Sequence, residues 1–334
     1  MRPFLGLLAL LVLADCVGAP PAALPPPDTA RSAASEHALA MDDGARLPLR
    51  AWLPEGTPRG VILALHGFND YANAFKRPAE AWAQAGIATF AYDQRGFGDA
   101  PERGRWVGAE RLDADLAEAS HQIMRRYPGV PLFLLGESMG GAVVITAVAG
   151  ATGAARPVAD GIILVAPAVW GRKTMTLFER AALWAGDTFM PEMTLTGRGL
   201  DITPTDNVEV LREMSRDPLV IKETRVDTLK GLVDLMDMAL DAAPRLSGTP
   251  MLLLYGRHDE VVPESPTRDF VAGLPASEAA ESHIAVYEHG YHMLLRDLDA
   301  KPVLGDVAAW IGDHRSNLPS GADRRARETL LAGN

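Results

Sequence analysis

Phe133-Leu134-Leu135-Gly136-Glu137-Ser138-Met139-Gly140-Gly141-Ala142-Val143-Val144 is the stretch that decides the fold. An apolar run of strand length passes through a G-x-S-x-G pentapeptide into an Ala/Val-rich run that predicts a helix over 140–149. A nucleophilic serine in this setting stands on a sharp strand-to-helix turn, so that its hydroxyl projects beyond the end of the sheet. Side chains two residues before and after it would collide in that turn, hence Gly136 and Gly140. The helix that follows aims its N-terminal amides at the point where a reacting carbonyl develops negative charge. The pentapeptide alone occurs often by chance. Between an apolar strand and an apolar helix it marks Ser138 as a nucleophile, with a structural turn serine the lesser reading.

On either side the chain alternates short apolar runs with helical patterns. Residues 61–65, 87–92, 132–135, 162–165, 251–255 and 283–287 read as strands, and 79–85 and 112–127 as helices. Continuous apolar strands of this kind predict an α/β fold, a mostly parallel sheet covered by helices on both faces. Ligands of such sheets bind beyond the carboxyl ends of the strands. Residues 168–246 break the alternation. They contain no convincing strand, but hold Met175, Leu177, Phe178, Leu183, Trp184, Phe189 and Met190, and are read as a helical cap over the sheet. For any one of these side chains an ordinary core position is the simpler explanation. The core is thus expected over 36–167 and 247–316, with 317–334 a polar, frayed tail.

The remaining chemistry follows strand ends. His66-Gly67-Phe68-Asn69 succeeds the first strong strand, and the loop there supplies one oxyanion donor where an elbow serine is used. The other is the amide after the nucleophile. These are Phe68 and Met139. His66 precedes the serine and is expected to shape its loop rather than carry a proton. With the chain order nucleophile, acid, histidine, Asp259 in Gly256-Arg257-His258-Asp259 takes the acid position. The base is either His289 or His292. The later one, after Gly290 and before Met293-Leu294-Leu295, suits a loop that returns its imidazole to the serine and is favoured. His292 would then take the Ser138 proton, with Asp259 holding its tautomer. The resulting acyl-enzyme is cleaved by water, and no metal or organic cofactor is called for.

Composition narrows the partners. The 334 residues carry 32 Lys and Arg against 43 Asp and Glu, a net charge of −11, with 48% hydrophobic residues. A net acidic chain without a basic stripe argues against nucleic acid. The single cysteine, Cys16, excludes an internal disulfide and a Cys/His zinc cluster. Residues 1–18, with Arg2 ahead of an apolar run over 4–14, predict an export signal. Leu13-Ala14-Asp15-Cys16 resembles a lipobox, with Asp15 where a small residue is usual. Lipidation of Cys16 with membrane attachment, and simple export to the cell envelope or beyond, are both open. Residues 19–35 are a Pro/Ala-rich linker.

Taken together, these segments resemble the monoacylglycerol lipase and lysophospholipase group of α/β-hydrolases, over about residues 46–312. His66-Gly67-Phe68-Asn69 is similar to the group's oxyanion loop, and Tyr92-Asp93-Gln94-Arg95-Gly96-Phe97-Gly98 to its structural D-x-R-G-x-G segment. Arg216-Asp217-Pro218-Leu219 resembles a tetrapeptide near the end of the group's cap, and Gly290-Tyr291-His292 its base segment. Asp99 stands where a serine usually follows the G-x-G. Asn69-Asp70 replaces a glycine-acid pair, which bears on specificity more than on fold. The resemblance implies a serine carboxylester hydrolase acting on a small-molecule acyl ester such as a monoacyl lipid. An amidase on the same triad, with Glu179 or Asp187 as an anchor, is the enzymatic alternative. A silent envelope-binding protein is the non-enzymatic one. Dehalogenase or epoxide chemistry would need an aspartate where Ser138 stands.

Overall fold

The structure, a computed structural model, describes residues 38–150, 153–197, 201–275 and 282–329. The expected signal segment, linker and Cys16 lie outside the described residues. An eight-stranded sheet has the spatial order β1-β2-β4-β3-β5-β6-β9-β10. Its strands are β1 (Ala38–Ala40), β2 (Arg46–Trp52), β3 (Gly60–Leu65), β4 (Ile87–Tyr92), β5 (Leu132–Glu137), β6 (Gly161–Val165), β9 (Met251–Gly256) and β10 (His283–Tyr287), with β7 (Thr194–Thr196) and β8 (Glu223–Arg225) forming a separate ribbon. From β4 to β10 the strands of the large sheet run parallel; β2 runs antiparallel to both its neighbours, β1 and β4.

Every residue of β3, β4, β5, β6 and β9 is buried, because helices cover both faces. The period-2 geometry of a strand then divides each run between two cores. Val61, Leu63 and Leu65 of β3 join one core with Leu132 and Leu134, while Ile62 and Ala64 join the other with Phe133 and Leu135. Helix α1 (Lys76–Gln84) lies against the second core through Trp82. Helices α2 (Ala109–Arg126) and α3 (Met139–Gly150) build the first. Residues 139–148 of α3 are all buried, so its sequence is apolar all round rather than striped.

The cap lies between β6 and β9. It contains α4 (Leu177–Phe189), α5 (Val208–Arg216) and α6 (Val226–Ala242). A capping box at Thr176 and Glu179 starts α4. Helix α6 is seated on the core where Gly231 leaves room for the Trp106 ring. The chain continues through α7 (Glu264–Gly273), α8 (Lys301–Gly312) and α9 (Ala322–Thr329). Among the described residues no helix is long and apolar enough to cross a membrane.

The β1–β2 pair leaves no strand signal in the sequence, because Arg46-Leu47-Pro48-Leu49-Arg50-Ala51-Trp52 alternates instead of running apolar and holds a proline. Three expectations are corrected. The cap contains strands after all, the short β7–β8 ribbon. Of the seven apolar side chains singled out there only Met175 and Leu183 are buried; Leu177, Phe178, Trp184, Phe189 and Met190 are exposed. Finally, residues 322–329 of the expected tail are not frayed, since α9 packs on β10 with Ala322 and Ala326 fully buried. Alanine fills such a contact without leaving a hydrophobic signature in the sequence.

Candidate active site

Four loops at the carboxyl ends of β3, β5, β9 and β10 bring the candidate residues together, as expected for a parallel sheet. Ser138, between β5 and α3, has φ 53°. A non-glycine residue held in the left-handed region stores strain that the surroundings must fix. They do so at close quarters. A Cβ on Gly136 would strike the Gly140 carbonyl, and one on Gly140 would strike the Leu65 carbonyl of β3. The Ser138 amide donates to Val165 O at 2.9 Å, and the Ser138 carbonyl accepts from Ala168 N at 2.9 Å. The strand-to-helix turn is therefore pinned to both neighbouring strands.

Asp259 and His292 meet, with His292 Nδ1 2.8 Å from Asp259 Oδ2. The other carboxylate oxygen of Asp259 accepts the amides of Val261 and Val262, each at 2.8 Å, which fixes the acid's rotamer. Asp259 accepts at Nδ1, so Nε2 of the neutral ring carries the lone pair. Burial pushes the His292 imidazolium toward deprotonation. The Asp259 charge and hydrogen bond, with a further contribution from Glu137, outweigh it and raise the pKa above the ordinary value. The neighbouring histidines lie apart from this pair. His289 lines a separate cavity with Tyr287 and Arg325, and His258 stacks on Tyr291 at 5.3 Å.

The loop after β3 is shaped by His66, as anticipated. Its Nε2 accepts the Gln94 amide at 3.0 Å, which makes Nδ1 the donor to Gly67 O at 2.8 Å. Burial lowers its pKa, and with both nitrogens engaged it is no proton carrier. Phe68 packs edge-on against Phe97 at 5.6 Å, while Met139 is fully buried at the start of α3. Gly67 lies close enough to Ser138 that its own Cβ would be 3.4 Å from the serine's.

Ser138, His292, Phe68 and Gly67 all line one cavity of about 420 Å³. Its walls are largely apolar. The cap supplies Trp170, Leu195, Leu211, Met214, Leu229, Leu232 and Met236, and the core supplies Val261, Val262 and Met293. The apolar residues singled out on α4 do not contribute. The polar corner is formed by Asn69, Asp70, Glu137 and Arg296. Sequence reasoning passed over this group. Arg296 is buried and bonds Asp70 Oδ2 at 2.8 Å and Glu137 Oε2 at 3.1 Å. Burial pushes the Glu137 carboxyl up, and the Arg296 charge pulls it back. An acid inside the Phe133–Val144 run and an arginine just after Met293-Leu294-Leu295 were the available signals. Among the described residues no cluster of three or more His, Cys, Asp or Glu is disposed to hold a metal.

A parallel sheet with a serine elbow, a loop acid and a loop histidine after successive strands defines an α/β-hydrolase. The family described as serine aminopeptidase, S33 matches residues 56–299, and the chain belongs to it. A monoacylglycerol lipase of Mycolicibacterium smegmatis is 27% identical over 305 residues, covering 85% of this chain and 99% of the relative. The monoglyceride lipase of Mus musculus is 29% identical over 283 residues, covering 83% and 90%. Among solved structures, a soluble variant of Saccharomyces cerevisiae monoglyceride lipase in complex with a substrate analogue shares the fold with a TM-score of 0.71, at 19% identity, covering 88% of this chain and all of that one (100%). The Paleococcus ferrophilus monoacylglycerol lipase does so at 0.66, with 22% identity and coverage of 80% and 99%.

Proposed function

We propose that the chain is a serine carboxylester hydrolase that cleaves monoacyl lipids, esters of one long acyl chain with a small polar alcohol. The observation that carries this is the cavity of about 420 Å³, walled by apolar side chains of the cap, with Ser138 and His292 in its lining. An acyl chain needs a dry trough, and this volume falls in the usual range for small-molecule sites, roughly 300–1,000 Å³. The lipase names of the relatives agree with it.

In the proposed reaction His292 Nε2 takes the hydroxyl proton of Ser138 as the oxygen attacks the ester carbonyl. The Phe68 and Met139 amides donate hydrogen bonds to the oxyanion, and Asp259 holds the ring and stabilises the imidazolium. His292 then returns the proton to the departing alkoxide. Water repeats the sequence on the acyl-enzyme and frees the carboxylic acid.

The family's description also names aminopeptidases. A peptide ammonium needs a carboxylate able to receive it. Glu179 is taken up by the cap of α4, and Asp187 lies outside the cavity lining. The two acids that do line it, Asp70 and Glu137, share Arg296. Ester cleavage is therefore the better reading. A ladder of monoacylglycerols of increasing chain length, with aminoacyl amides alongside, tests it. Ester turnover with a chain-length optimum, lost in Ser138→Ala, is expected. Amide turnover exceeding ester turnover would displace the reading.

A further inference from the structure

Arg296 joins three loops that the proposed reaction must keep in register. It lies four residues after His292 in the same loop. One terminal nitrogen holds Asp70, two residues beyond Phe68, and the other holds Glu137, which immediately precedes Ser138. The three side chains are all buried. The Arg296 loop is itself fastened: Asp297 accepts the Tyr291 amide at 2.8 Å and the Thr205 hydroxyl at 2.6 Å, and Met293 N donates to Pro204 O. A buried ion group of this kind is poor evidence for stability, because desolvating the charges offsets their attraction. A guanidinium fork is, however, a rigid planar spacer between two carboxylates, and an ammonium is not.

We propose that Arg296 is a positioning residue: its guanidinium fixes the loop bearing Phe68, the elbow bearing Ser138 and the loop bearing His292 at one mutual spacing. The proposal rests on the serine-hydrolase reading above. It is a claim about geometry rather than charge. The charged groups around His292 are Asp259 from the loop after β9, Glu137 from the elbow, and Arg296 and Asp297 from its own loop. Arg296→Lys leaves this charge set intact and removes the fork.

The test is steady-state ester hydrolysis by the wild type and Arg296→Lys, with functional sites counted by a fluorophosphonate and the labelled residue located by mass spectrometry. The result expected is a fall in kcat per labelled site of about 10- to 100-fold, the scale of a misplacement near 1 Å. KM should change by less than about threefold, with the acid limb of the pH profile unmoved, because charge is kept. A kcat per labelled site within about twofold of wild type would overturn the proposal, since a group supplying charge or stability alone gives that result. Should the lysine variant fail to fold, Asp70→Asn keeps the shape, weakens one arm and leaves the Glu137 charge beside His292 in place. A loss of kcat per site supports the proposal there, and an unchanged kcat overturns it. Wild type that is active but labelled at another residue would refute the Ser138 assignment itself, a failure distinct from a wild-type-like Arg296→Lys.

Discussion

Asn69 and Thr224 join the loop after β3 to the cap: Asn69 Nδ2 donates to Thr224 Oγ1 at 2.7 Å. Asn69 also accepts the Ile221 amide on its carbonyl at 2.9 Å, and it sits at φ 65°. Asparagine tolerates that left-handed conformation better than alanine does, and glycine adopts it freely. Asn69→Gly should therefore lose only the side-chain tie, whereas Asn69→Ala loses the tie and adds roughly 1 kcal/mol of backbone strain. Thermal melts of the two variants should show Asn69→Ala as the less stable, and equal melting temperatures would mean that the backbone is not strained there.

The raised pKa of His292 has a kinetic sign. Only the neutral ring can accept the serine proton, so kcat/KM should fall as the pH drops through the raised pKa. The acid limb is expected above the ordinary imidazole value of about 6.5. Asp259→Asn removes the stabilising charge and should cost about 10⁴-fold in kcat. A pH–rate profile with its acid limb below the ordinary imidazole value would contradict the arrangement around His292.

Gly136 and Gly140 should tolerate no side chain. In either position a Cβ would meet backbone rather than a yielding side chain. Gly136→Ala or Gly140→Ala should distort the turn, abolishing fluorophosphonate labelling or expression of folded protein. A variant labelled at the wild-type rate would show that the turn has more room than its contacts indicate.

Asp113, on α2 and bonded by the Thr146 hydroxyl at 2.7 Å, has its pKa raised to about 7, chiefly by burial. The folded state therefore binds a proton that the unfolded chain has released above about pH 4. Stability from this group is lost as the pH rises from about 4 through 7. Asp113→Asn should match the wild type near pH 4 and exceed it by roughly 1–3 kcal/mol at pH 8. Denaturant melts at the two pH values would measure the difference, and an equal effect at both would refute the titration.

The parallel core was legible because each central strand is a continuous apolar run, and the loops after those runs carry Ser138, Asp259 and His292 in a fixed chain order. Two kinds of feature were hidden. Short, alternating or alanine-faced elements such as β2 and α9 bury too little apolar surface to mark the sequence. The Asp70–Glu137–Arg296 group joins residues up to 226 positions apart, and only folding reveals that these charges meet. The cap misled in another way. Its most conspicuous apolar residues, including Phe178 and Trp184, are exposed, while the cavity is lined by quieter positions such as Leu232 and Met236.

Trapping the acyl-enzyme would locate the acyl group that Ser138 is proposed to carry. The protein would be mixed with a nitrophenyl ester of a medium-chain acid, quenched in acid within the burst, digested and mapped by mass. An acyl increment is expected on the peptide containing Ser138, absent in Ser138→Ala, which should also lose turnover. An increment on another residue, or full turnover by Ser138→Ala, would contradict it.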